Sequence, residues 1–144
     1  VADATGAKRN DSTAPDSFSF LPTLEGKIQE PRPATIHHSI NGSFAIRKGR
    51  WKLCLCPGSG GWSEPVPDKA WKDGSLPRVQ LFDLTEDPGE TNNIQDKHPA
   101  KVKELVEELA HIINNGRSTP GPKLENHGAI RFRPELTERF PVLE

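Results

Sequence analysis

Residues 35–56, Thr-Ile-His-His-Ser-Ile-Asn-Gly-Ser-Phe-Ala-Ile-Arg-Lys-Gly-Arg-Trp-Lys-Leu-Cys-Leu-Cys, admit few folds. Apolar side chains alternate with polar ones at a period of two, and the alternation breaks at Asn41-Gly42 and Lys48-Gly49. Period two marks strands that are covered on one face, and a glycine-bearing step between them marks a hairpin turn, so the stretch predicts a three-stranded meander. A two-residue turn at Lys48-Gly49 pairs Ile46 with Trp51 and Phe44 with Leu53. At the other turn, a three-residue loop that includes Ser43 pairs Ile40 with Phe44 and His38 with Ile46, which a two-residue loop would not. The core face is then Ile36, His38, Ile40, Phe44, Ile46, Trp51, Leu53 and Leu55. The reverse face carries His37, Ser39, Ala45, Arg47, Lys52 and Cys54.

A fourth strand follows at Val79-Gln-Leu-Phe-Asp-Leu and stops at the turn Glu86-Asp-Pro-Gly. His98-Pro99 opens a helix that Gly116 closes, with Pro in the first turn and Gly past the end. Val102, Leu105, Val106, Leu109, Ile112 and Ile113 recur at spacings of three and four, so one stripe of this helix faces the apolar side of the sheet. The fold class is α+β: a four-stranded antiparallel sheet with one long C-terminal helix packed on one face. Around this frame, residues 1–17 read as a linker or arm, 18–116 as the folded subdomain and 117–144 as an extended tail. Residues 57–77, rich in Gly, Pro, Ser and Trp, have no period and read as one long loop of the kind that often carries function.

Composition narrows the function classes. A length of 144 residues suits one core, and 19 basic against 20 acidic residues leave a formal charge of -1, which gives no reason to expect a nucleic-acid or membrane-surface partner. No run approaches the roughly 18 apolar residues of a membrane span, and the first residues do not form a signal peptide. Methionine is absent, even at position 1, so the chain reads as a fragment or processed piece.

His37, His38, Cys54 and Cys56 invite a zinc reading, but alternation sends the two histidines to opposite faces, so a closed four-ligand site is not expected. His38 reads as a core histidine. His37, Arg47 and Lys52 put three potentially cationic groups on adjacent strands of the reverse face, where they attract an anionic group or simply meet solvent or another domain. Asp83, Glu86, Asp87 and Glu90 cluster at a turn that needs such residues for its backbone. No glycine-rich phosphate loop is present, since Gly58-Ser-Gly-Gly runs on into Trp62-Ser-Glu-Pro.

The ordered segments resemble the C-terminal part of the formylglycine-dependent sulfatases, bacterial arylsulfatase-like enzymes in particular. The resemblance rests on Asp16-Ser-Phe-Ser-Phe-Leu-Pro-Thr-Leu, His37 to Leu53, Gln80-Leu-Phe-Asp-Leu-Thr-Glu-Asp-Pro-Gly-Glu-Thr-Asn-Asn and Gly116-Arg-Ser-Thr-Pro-Gly. It implies the C-terminal subdomain of an alkaline-phosphatase-like fold. It also implies a parent enzyme that hydrolyses sulfuric esters with a formylglycine nucleophile and calcium, in a periplasmic or secreted location. The family's Cys/Ser-x-Pro-x-Arg motif is missing here. Ser63-Glu-Pro-Val-Pro and Ser118-Thr-Pro-Gly-Pro have proline where arginine is required, so no catalytic residue, metal ligand or cofactor is assigned to this chain and it is expected to be inactive alone. Its implied partners are an N-terminal catalytic domain and a sulfated small molecule or glycan. Candidate rim residues toward that substrate are His37, Asn41, Arg47, Lys52 and Trp62, since aromatic and basic groups suit sulfated sugars or aryl sulfates. The alternative is a free-standing anion- or carbohydrate-binding module without catalysis.

Overall fold

Four strands, β1 (Thr35–His38), β2 (Phe44–Lys48), β3 (Trp51–Cys54) and β4 (Gln80–Asp83), pair in chain order as an antiparallel meander. The computed structural model describes residues 1–144 and divides them into two units, Val1–Arg32 with His111–Ala129 and Pro33–Ala110 with Ile130–Glu144. The sheet belongs to the second.

The faces follow the alternation, but both hairpins close one pair away from the expected register. Ile46 lies opposite Leu53 and Lys48 opposite Trp51, so the turn is Gly49-Arg50 rather than Lys48-Gly49. His38 lies opposite Phe44 and Ile36 opposite Ile46, and the three-residue loop is Ile40-Asn41-Gly42, one residue earlier than expected. One cause explains both corrections: the loop geometry assigns its positive-φ position to the glycine. Gly49 (φ 58) takes the first position of the tight turn, whereas Gly42 (φ 87) ends a turn closed by its N–H on the Ser39 carbonyl at 3.0 Å. A slip of two residues keeps every side chain on its face, so the strand residues stay sorted as expected. Ile40 does not: it sits in the turn, 77% exposed, and leaves the core. His38 is also exposed, because it lies at the end of an edge strand, where its ring only stands edge-on to Phe44 at 4.6 Å.

The core is the cross-strand row Ile46, Leu53 and Leu81 with Leu55 and Val79, all fully buried. A helix spanning Pro99–Asn115 covers this face and buries Val102, Leu105, Val106 and Leu109. Its seat is marked by Lys48, whose Nζ donates to Glu108 Oε2 at 2.9 Å, and by Trp51, whose ring lies 5.2 Å from that of His98. Asn93 closes the outer edge of β4, accepting from the Leu81 N–H at 3.0 Å and donating to the Val79 carbonyl at 3.2 Å. That leaves β1 as the open edge.

Two parts are more ordered than their composition suggested. The 57–77 segment contains a short helix, Pro67–Lys72, too brief to show a period, which buries Ala70 and Trp71. The end of the chain is not a surface tail: a helix at Pro134–Arg139 buries Leu136, and Leu143 is buried after it. In the other unit, residues 18–32 cluster with the N-terminal residues rather than with the sheet. There the Ser118 N–H donates to Asp16 Oδ1 at 2.8 Å, and Thr119 donates to the Pro15 carbonyl through both N–H (3.2 Å) and Oγ1 (2.6 Å).

Candidate functional site

Strand register places Arg47 directly opposite Lys52 on the reverse face, with Phe82 beyond Lys52 and His37 one pair along, opposite Ala45. Like charges directly opposite repel, and the loop after β4 removes the conflict. Glu90, held at φ 56, directs both carboxylate oxygens to Lys52 Nζ, at 2.6 and 2.7 Å. Asp87 shapes that loop: it accepts from the N–H groups of Thr91 (3.0 Å) and Asn92 (2.8 Å), which hold its carboxyl below the usual range. Lys52 is therefore engaged within the chain. Arg47 is exposed, and its Nε donates to the Gly49 carbonyl at 3.3 Å. His37 is exposed at the sheet edge. The three cations share a face, but only His37 and Arg47 present themselves to solvent.

Asn41 serves its own turn: Oδ1 accepts from the Ser43 N–H at 3.3 Å and from Ser43 Oγ at 3.1 Å, with Ser39 Oγ close by. Trp62 is 82% exposed, on a loop that is otherwise pinned. Gln80 Nε2 donates to the carbonyls of Cys56 and Gly58 at 2.9 and 2.7 Å, and Ser59 Oγ donates to the Ser63 carbonyl at 2.6 Å. A Cβ on Gly60 would lie 2.5 Å from Cys56 Sγ, so the loop closes over the buried thiol only with glycine there. An aromatic ring held out from an anchored loop is a stacking surface.

Both thiols are disfavoured as thiolates. Burial pushes Cys54 up to about 12 and raises Cys56, against which a Ser43 hydrogen bond pulls only in part. No three His, Cys, Asp or Glu side chains converge as a metal site would require. Nearby carboxylates are committed: Glu90 to Lys52, Asp83 to Arg50 and the Thr85 N–H, Asp87 to its loop. Neither cysteine has proline two residues on, so the residues present fit neither calcium nor a formylglycine precursor.

One residue outside the expected rim stands out. Arg117 is 9% exposed, and a Cβ on Gly121 would collide with its guanidinium. The cue in the sequence was the pair of glycines around it, Gly116 and Gly121, the first at φ 63.

No protein-family model matches the chain. It is similar to the N-acetylgalactosamine-6-O-sulfatase of Bacteroides thetaiotaomicron, 35% identical over 108 residues, which cover 71% of this chain and 19% of that protein. Arylsulfatase K of Rattus norvegicus is 28% identical over 109 residues, 67% of this chain and 17% of the relative. A solved sulfatase structure, described with the metabolism of multiple glycosaminoglycans by Bacteroides thetaiotaomicron, superposes with a TM-score of 0.60 at 29% identity, covering 77% of this chain and 22% of that one. The chain thus spans about a fifth of the length of the proteins that it matches. Over roughly seven-tenths of its length, the chain is a homologue of the sulfatases.

Proposed function

We propose that this chain is the C-terminal subdomain of a sulfuric ester hydrolase acting on a sulfated carbohydrate, and that it completes the fold and the rim of the substrate pocket while the chemistry lies elsewhere in the polypeptide. The observation that carries this is the match to an N-acetylgalactosamine-6-O-sulfatase over most of this chain and a fifth of the relative. Formylglycine and calcium belong, on this reading, to the catalytic domain that this subdomain completes, in a periplasmic or secreted enzyme. The residues best suited to the rim are Trp62, by stacking on a sugar face, and His37 and Arg47, by hydrogen bonds to a hydroxyl or sulfate oxygen. Asn41 and Lys52 fit the role less well, because Asn41 Oδ1 and Lys52 Nζ are engaged within the chain.

The test is sulfate release from N-acetylgalactosamine 6-sulfate and from an aryl sulfate by the natural gene product that contains this chain, beside the 144-residue chain alone. The expected result is turnover by the former and none by the latter. Trp62→Ala and His37→Ala in the active form should raise KM with kcat little changed. Turnover by the isolated chain would overturn the division of labour, and no activity of the gene product on any sulfate ester would overturn the enzyme reading. The exposure of Trp62 also supports a carbohydrate-binding module; sulfated-glycan binding by the isolated chain, lost in Trp62→Ala, would favour it.

A further inference from the structure

Arg117 carries a charge with no counter-charge. It is 9% exposed, yet no carboxylate lies within 4.0 Å of its guanidinium. Its hydrogen bonds go to neutral oxygens: Nε and Nη2 donate to Thr119 Oγ1 at 3.3 and 3.0 Å, and Nη1 donates to the Pro122 carbonyl at 3.1 Å. A guanidinium has five N–H donors, so these contacts leave part of its fork unused. Burying a cation without an anion is costly, and here the chain holds it in place regardless. Thr119 is itself fixed by the Pro15 carbonyl, and Gly121, at φ 147, leaves the space that the guanidinium fills.

The same side chain lines a polar cavity of about 410 Å³ that Asp3, Arg9, Asn10, Asp11, Thr13 and Ser17 also line. Asp3 is taken by Arg9 Nη2 at 3.2 Å, and Asp11 makes no ion pair. The geometry points to Arg117 as the receptor for an oxyanion group in this cavity, two oxygens of a sulfate or carboxylate accepting from the unused edge of the fork. This is the pairing that a planar guanidinium makes best. The site does not depend on the sulfatase reading, because inorganic sulfate itself is the probe.

The experiment titrates the full chain with sodium sulfate, and in a parallel arm with sodium acetate, against sodium chloride at matched ionic strength. Binding is read by calorimetry and by the ¹H–¹⁵N resonance of the Arg117 Nε–H. The expected result is saturable binding of at least one of the two oxyanions, with a shift of that resonance that chloride does not reproduce. A response to sulfate assigns a tetrahedral ligand, and a response to acetate alone a carboxylate. Arg117→Gln, with its fold checked by circular dichroism, should weaken binding about tenfold or more, whereas Asp11→Asn should leave it unchanged or strengthen it. Should Arg117→Gln not fold, the resonance of the unaltered chain decides. An Arg117 signal that moves alike in all three salts, undiminished binding in a folded Arg117→Gln, or loss of binding in Asp11→Asn would each overturn the proposal.

Discussion

Leu105→Ala tests whether the long helix and the sheet share one core. Leu105 is fully buried in the stripe that covers Ile46, Leu53 and Leu81, themselves fully buried. Truncation to alanine forfeits the transfer of the lost methyl and methylene groups, roughly 2.4 kcal/mol at about 0.8 kcal/mol per buried CH₂. It also leaves a cavity, because flanking β-sheet and helix backbones collapse little; a residual void of about 50 Å³ adds roughly 1 kcal/mol. Alanine's helix propensity returns only a few tenths, so the net cost is about 3 kcal/mol. For a chain of this length that lowers Tm by about 10 °C. Urea titration followed by far-ultraviolet circular dichroism should show a lower midpoint at unchanged slope. Glu107→Ala, on the exposed side of the same helix, should change stability by no more than about 0.5 kcal/mol. A loss below about 1 kcal/mol for Leu105→Ala, or equal losses at both positions, would refute the packing of this stripe on the sheet.

The thiols should resist a disulfide reagent at pH 8 in the native chain and react fully in guanidinium chloride, since burial keeps Cys54 up to about 12 and Cys56 raised; labelling within minutes in buffer would contradict that. Glu90→Gln should destabilise the chain by about 1 kcal/mol, because it leaves Lys52 opposite Arg47 without its carboxylate, and Glu90→Gln combined with Lys52→Gln should recover part of the loss in a double-mutant cycle. Lys48 is raised from 10.5, chiefly by its hydrogen bond with Glu108, so its contribution is present below that value and is lost as pH rises through the folded value above it. Glu104, lowered from 4.5 chiefly by its bond with Lys101, contributes above 4.5 and loses that contribution as pH falls through its lower folded value. The stability difference between the unaltered chain and Lys48→Met, from urea midpoints, should be larger at pH 7 than at pH 11.

Much of the sheet and helix is legible in the sequence because both are driven by burial on one face. The period of two sorts Ile46, Leu53 and Arg47 to their faces, and the helix bounded by Pro99 and Gly116 ends at Asn115. Register is a finer property. It depends on which loop position needs a positive φ, and the position of glycine within each turn decides it more firmly than the wish to pair apolar side chains, which is how Ile40 came to be exposed. The histidines show the same limit: alternation sends His38 to the core face, but only the position of β1 at the sheet edge reveals that this face is uncovered there. Short helices at 67–72 and 134–139 escape notice because a six-residue helix presents a single turn and a half of pattern.

The rim candidates illustrate why residue type alone misjudges availability. Arg47 and Lys52 are both cations on one face, and counting charges would credit that face with both. The strand register makes them direct neighbours, and such a pair is tolerable only if something of opposite sign approaches. The chain supplies it from Glu90, thirty-eight positions after Lys52, on a loop whose shape Asp87 imposes. The acidic turn, read for its backbone alone, and the basic face, read as a possible anion site, are the two halves of one structural contact. Arg117 is the opposite case. It lies in a segment with no period and no charge cluster, but it is buried in a pocket shaped to its guanidinium with no carboxylate in reach. A charge that the fold neutralises serves the fold, and a charge that the fold buries but leaves unpaired is where a ligand's charge is missing.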